Sequence, residues 1–309
     1  MKMYLKFRIS IILFLVFGTL SSIAQQDPQY TNYMFNTLSV NSAYAGSRGH
    51  LSITALHRTQ WVGIPGAPQT QSLSIESPVG KSLGIGLSFV NDKLGPSKET
   101  YIDANISYTI RLNDESQLSF GMKGGGRLLN VDLFDGFQNS SDVASINNKF
   151  LPTVGAGVYW RSEKTYVGLS VPNFLTNKHF DRNNFSTNNY KVSAERLHYF
   201  LIAGKVFDLS SGVKFKPAFL GKFVSGAPAI IDLSANFMIE KTLRLGVAYR
   251  WDDSISALFG LQINQRLLLG YAYDLTTTRL GDFNSGTHEV MLRFELITKE
   301  KQLKSPRFF

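Results

Sequence analysis

The residues able to do chemistry are few, and their spacing does not gather them. The five histidines, His50, His57, His179, His198 and His288, include no His-x-x-x-His pair and no neighbouring acid at zinc-site spacing. His57 falls in an alternating apolar–polar segment and His179 in a long polar stretch, so structural or solvated roles are expected. Serine is plentiful, but no Gly-x-Ser-x-Gly elbow occurs. A Ser–His pair formed between distant segments stays open, with no pair singled out. Gly121, Gly124, Gly125 and Gly126 lack the Lys-Ser/Thr partner and following helix of a phosphate-binding loop. Glycine relieving crowding in a strand accounts for them more simply. With no cysteine there is no disulfide framework and no thiolate metal site. No catalytic residue, metal or cofactor is expected, and no enzyme activity.

The elements that would position such residues begin with an export signal. Lys2, Lys6 and Arg8 form a basic start, an apolar run extends from Ile9 to about Leu20, and Ser22-Ile23-Ala24 gives a small-x-small cleavage site before Gln25. The apolar run is shorter than the roughly 20 residues of a spanning helix. Residues 1–24 therefore read as a cleaved signal peptide. The mature chain keeps 29 cations against 23 acids, a formal +6. That surplus is scattered apart from Lys299, Lys301, Lys304 and Arg307 near the end. A nucleic-acid surface needs a basic stripe with interleaved aromatics, and none is present.

After residue 24 no apolar run is long enough for a spanning helix, so membrane integration would be by strands. Period-two alternation recurs along the chain. In 101–112, Ile102, Ala104, Ile106, Tyr108, Ile110 and Leu112 share one face, and Asp103, Asn105, Ser107, Thr109 and Arg111 the other. Residues 231–240 and 243–252 repeat the pattern, with Leu233 and Leu245 on apolar faces and Ser234 and Gly246 opposite. About 14 such segments are predicted: 51–61, 69–77, 82–91, 99–112, 116–128, 151–162, 165–172, 198–209, 213–224, 229–239, 242–251, 254–264, 267–275 and 287–297. Most approach the roughly 9–11 residues of a tilted transmembrane strand, and the number is even, as in single-chain bacterial barrels.

Connection lengths test this independently. The even-numbered gaps, 78–81, 113–115, 163–164, 210–212, 240–241 and 265–266, are all short. Among the odd ones, 129–150, 173–197 and 276–286 are long, 62–68 and 92–98 intermediate, and 225–228 and 252–253 short. Short turns on one rim and long loops on the other are the outer-membrane pattern, with the short rim periplasmic. Bulky aliphatics on one face and glycine mixed with charge on the other (Lys123, Gly125, Arg127) suit a lipid-facing wall around a polar lumen. Trp61, Trp160, Tyr166, Trp251 and Tyr273 are candidates for interfacial girdles. The expected fold is all-β: a single transmembrane antiparallel barrel over 51–297 in the bacterial outer membrane, with short periplasmic turns, longer extracellular loops, a lipid-facing exterior and a periplasmic tail over 298–309.

Residues 25–50 differ in kind. QQDPQYTNYMFNTLSVNSAYAGSRG lacks alternation but carries Tyr30, Tyr33, Phe35 and Tyr44 among Asn and Gln. Disordered segments are poor in aromatics, so this leader should pack at the periplasmic rim or inside the lumen. QQDPQYTNYMFNTLSVNSAYAG (25–46) resembles the start of the PorP/SprF family of type IX secretion system membrane proteins. RTQWVGIPGAPQTQSLSIESP (58–78), GLSFVNDKLGPS (86–97), YDLTTTRLGDFNSGTHEVMLRFEL (273–296) and SPRFF (305–309) fit the same family. One departure is Asn41-Ser42-Ala43-Tyr44, where the family pattern has proline in place of Ser42, which should loosen that turn.

The resemblance implies a barrel that works with the type IX machinery, with partners among its other components and its cargo. Some members assist export or surface attachment of large gliding adhesins; others belong to the core apparatus. The cargo contact expected is the C-terminal signal domain. Composition and resemblance together point to Tyr30, Tyr33, Asn41 and Tyr44 in the leader, for partner binding or lumen packing. A second group is Arg58, Trp61, Gly66 and Pro68 around the first hairpin. The two groups are expected at opposite ends of the first strand, the second facing outward toward cargo. A passive channel or small-solute transporter is the alternative, favoured by a wide lumen lined with Arg and Asp. A Ser–His–acid cluster on the outer face would favour a hydrolase, and a lumen plugged by 25–50 the interaction protein.

Overall fold

A computed structural model describes residues 29–132, 146–176, 196–225 and 227–297. The expected signal peptide, the centres of the two long loops at 133–145 and 177–195, and the basic tail lie outside the described residues. The strands are β1 (Leu51–Thr59), β2 (Gln69–Val79), β3 (Leu83–Leu94), β4 (Ser97–Arg111), β5 (Gln117–Val131), β6 (Ile146–Arg161), β7 (Thr165–Val171), β8 (His198–Lys205), β9 (Phe207–Asp208), β10 (Val213–Val224), β11 (Ile230–Ile239), β12 (Leu243–Arg250), β13 (Ser254–Gln262), β14 (Leu267–Thr276) and β15 (Thr287–Leu296). β8 and β9 both pair with β10 and are two pieces of one barrel strand. The break is at Val206, which turns inward while its N–H donates to the Lys164 carbonyl. Each strand pairs antiparallel with its chain neighbours, and β15 pairs with β1 from Thr59↔His288 to Leu51↔Leu296. The result is a closed barrel of 14 strands, in which β7 covers β6 only from Ala156 to Arg161 among the described residues.

The alternation read from the sequence sets the two faces. Leu233, Leu245 and Ile106 are exposed on the outside, whereas Ser234, Arg244 and Asn105 are buried within. Among the described residues no helix is long and apolar enough to cross a membrane; the strands do so. One rim carries the short turns 80–82, 112–116, 162–164, 209–212, 240–242 and 263–266, and the longest connections are on the other.

Three expectations are corrected. The connection placed at 92–98 shrinks to Gly95-Pro96, because β3 and β4 continue through polar pairs such as Asp92↔Glu99. Gly95 supplies the positive φ, 54°, of that tight turn. The loop placed at 129–150 shortens to 132–145, because Leu129, Val131 and Leu151 point inward as a small apolar cluster against Ile146. Tyr166 leaves the girdle: it is an inward residue of β7, packed beside Tyr159.

Candidate functional site

The lumen is occupied by the leader. Its Asn-rich sequence forms consecutive turns, with Phe35 N–H bonded to the Asn32 carbonyl and Asn36 N–H to that of Tyr33. Two single-turn 3-10 helices follow, Thr37–Ser39 and Ser42–Tyr44. Asn41 caps the second, its Oδ1 accepting from Ala43 N–H at 2.9 Å. That cap holds the turn at Ser42–Tyr44.

Buried irregular backbone needs polar partners, and the barrel wall provides them from inward positions. Ser170 Oγ donates to the Val40 carbonyl at 2.7 Å and Ser107 Oγ to that of Ala45 at 2.7 Å. Asn41 Nδ2 donates to the Val158 carbonyl, and Gly46 N–H to Glu76 Oε2 at 3.0 Å. Asn36 accepts from Ser74 Oγ at 2.9 Å. The polar alternate residues of the strands thus serve a strand-less segment inside the barrel, where a channel would present them to water.

Several wall glycines let the leader approach: a Cβ at Gly157 would meet Asn41 Oδ1 at 2.1 Å, and one at Gly86 the Leu38 side chain at 2.9 Å. A Cβ at Gly121 would meet Ala43 N at 2.1 Å, and one at Gly84 would meet the Ala45 carbonyl oxygen at 2.1 Å. In the glycine run of β5, Gly125 faces the backbone of Ile102 and Asp103, and Gly126 lies under the Phe150 ring, whereas Gly124 meets nothing. Leader aromatics fill the space between. Tyr44 meets Tyr159 edge-on at 5.4 Å, and the Phe35 ring lies between Lys216 and Arg293 at 5.6 and 5.5 Å.

The upper end of the leader is held by charge. Thr31 N–H and Asn32 N–H donate to the two oxygens of Glu289 at 3.0 and 2.7 Å, and Asn32 Nδ2 adds a third bond of 2.7 Å. Thr31 Oγ1 donates to Asp274 and accepts from Arg58 Nη1 at 2.8 Å. Arg58 Nη1 and Nη2 also reach Glu289 at 3.0 Å and Asp274 at 2.8 Å. At the lower end Arg48 pairs with Glu295 at 2.5 Å, with His50 3.4 Å from the same carboxylate. The leader therefore runs from beside the end of β1, toward the long-loop rim, to the start of that strand at the short-turn rim.

Tyr30, Tyr33, Asn41 and Tyr44 all lie buried in the lumen. Arg58 joins them, which corrects its grouping with the outward residues: it is an inward position of β1, 1% exposed, bound to the leader itself. Trp61, Gly66 and Pro68 sit in the outer loop between β1 and β2. Trp61 has φ 47°, with its N–H on Thr287 Oγ1 at 3.1 Å. The Gly66 carbonyl accepts from Gly95 N–H at 2.8 Å, and that of Pro68 from Gln60 N–H. Val62 exchanges backbone bonds with Gly286 and Ser285, so three outer connections are tied into one platform. Phe283 on it is 73% exposed. Thr31, Asn32, Asp274 and Glu289 were not singled out from sequence. The usable signal was acids at inward positions beside the first and last strands. Among the described residues no group of His, Asp or Glu could hold a metal ion.

Among solved structures the chain is similar to a Pseudomonas aeruginosa FadL homologue, at 12% identity over 91% of this chain and 96% of that one, TM-score 0.45. It is also similar to the Acinetobacter baumannii outer membrane protein Omp33, at 6% identity over 80% and 98%, TM-score 0.46. The CymD monoaromatic hydrocarbon channel gives 11% identity over 80% and 87%, TM-score 0.45. No curated protein matches. The family model for the type IX secretion system membrane protein PorP/SprF matches residues 22–294. The chain is therefore an outer-membrane β-barrel that belongs to the PorP/SprF family of type IX secretion system membrane proteins.

Proposed function

We propose that this barrel is a partner-binding component of type IX secretion, assisting export or surface attachment of large cargo such as gliding adhesins by engaging their C-terminal signal domain. The observation that carries the reading is the filled lumen. A pore for solutes needs a continuous aqueous path, whereas residues 29–50 bond to the wall along the lumen. Recognition then falls to the rims. On the outer one, Trp61 and Phe283 stand on the platform braced by the Val62–Gly286 and Gly66–Gly95 bonds. Large aromatics on a preorganised frame are favoured anchors for a protein partner. The lipid-facing belt of Leu, Ile, Val and Phe supports outer-membrane lipid as the surrounding medium, and other secretion components would meet the periplasmic rim.

A test pairs Trp61→Ala and Phe283→Ala with two readouts: heat-modifiable gel mobility for assembly, and surface retention of cargo for function. The proposal expects normal assembly with reduced retention. Normal assembly with normal retention would remove this platform from cargo handling. The passive channel is the second reading. The inward Arg and Asp residues would favour it only once the leader has left the lumen.

A further inference from the structure

The leader's charged contacts are concentrated where the barrel closes. β1 and β15 are the first and last strands, and their pairing is the one connection the chain does not make for itself through a turn. Arg58 on β1 and Glu289 on β15 are register partners in that pairing. Asp274 lies on β14, next in order. Thr31 and Asn32 bind all three residues, and Arg48 binds Glu295 near the other end of β15. Leader residues thus touch the seam at both ends, with the bulk of the leader between. Seam closure must bring together residues more than two hundred positions apart, and that entropic cost is only weakly relieved by local structure.

We propose that the leader is a clamp for barrel closure: it enters the lumen while the sheet is still open, binds β15 through Thr31, Asn32 and Arg48, and delivers the last strand to β1. Two features fit this order. Because residue 50 runs directly into β1, the leader is tethered to one side of the seam and needs only to capture the other. Asp274 and Glu289 are two buried carboxylates close to the same guanidinium. Burying both without the added donors of Thr31 and Asn32 would leave lone pairs unsatisfied.

The test uses the full chain, which contains no cysteine of its own. One engineered pair, Ala55→Cys with Leu292→Cys, lies at outward partner positions across the seam. A control pair, Ala235→Cys with Val247→Cys, lies at partner positions between β11 and β12. Cross-strand partners are within disulfide reach. Each pair is placed in three backgrounds: the natural leader, Thr31→Ala with Asn32→Pro, and residues 29–46 replaced by Gly/Ser of equal length. Urea-unfolded chains are diluted into phosphatidylcholine vesicles with a lipophilic oxidant, and cross-link formation is followed. The proposal expects the seam pair to form at least about tenfold more slowly in both altered leaders, the equivalent of losing charge-assisted hydrogen bonds, with the control pair unchanged. A seam pair that forms at the natural rate with the Gly/Ser leader overturns it. So does an equal slowing of both pairs, which would make the leader a general folding aid. Slowing with Gly/Ser but not with Thr31→Ala/Asn32→Pro would overturn the assignment to those two residues.

Discussion

Arg58 and Glu289 face each other across the β1–β15 pairing, 3.0 Å apart and both almost wholly buried. The pair is shared: Glu289 also accepts from the leader, and Arg58 also holds Asp274. Removing one member of a buried ion pair costs about 3–5 kcal/mol, because the partner stays behind uncompensated. Arg58→Ala should therefore lower stability by about that much, read from urea unfolding of the vesicle-inserted barrel. Glu289→Gln keeps the shape but replaces one of the two accepting oxygens with an NH2 facing either Arg58 and Thr31 N–H or the Asn32 donors, so it should destabilise as well. A near-zero effect of Arg58→Ala would show that the cluster is solvated in the membrane.

Leu245→Arg, Leu233→Arg and Ile106→Arg place a charge on the lipid face near mid-membrane. Each should cost roughly 2–4 kcal/mol. Inward Asn105 and Ser234 should tolerate small polar exchanges better. Gly246 should not, since a Cβ there would meet Asn236 Oδ1 at 2.4 Å. Reversed sensitivities, measured as folding yield and unfolding midpoint, would mean the faces are exchanged.

A protease site inserted within 133–145 or 177–195 should be cut from outside intact cells, and one within 210–212 should be protected. The short-turn and long-loop rims predict this orientation. Cleavage at 210–212 in sealed cells would invert it.

The barrel was largely legible in the sequence because each strand has one partner medium per face, lipid outside and polar groups inside, and period two records that directly. Its limits were at strand ends. Asp92, Lys93, Lys98 and Glu99 continue the β3–β4 ladder outside the hydrocarbon layer, where no apolar face is needed and the alternation lapses. The leader's aromatics signalled packing, but its contacts did not show. They pair residues such as Thr31 with Asp274, separated by 243 positions, and only closure of the barrel brings these together. Arg58 illustrates the difference: its parity in β1 was readable as inward, yet its family motif drew it toward the outward Trp61.

Trp61 holds a left-handed backbone, φ 47°, that ordinarily suits glycine. Trp61→Gly should therefore relieve backbone strain while removing the aromatic surface, and Trp61→Ala should remove the surface without that relief. If the ring matters for cargo, both variants lose surface retention equally. Loss in Trp61→Ala alone would assign the residue to loop folding.

Ion conductance through the purified barrel in planar bilayers tests the central claim, that the leader fills the lumen. The natural protein should show little steady current. Gly84→Val with Gly121→Val denies the leader two close backbone approaches, at Ala45 and Ala43, and should open a persistent current. Deleting residues 29–46 should do the same. A natural protein that conducts as much as either variant would contradict the account.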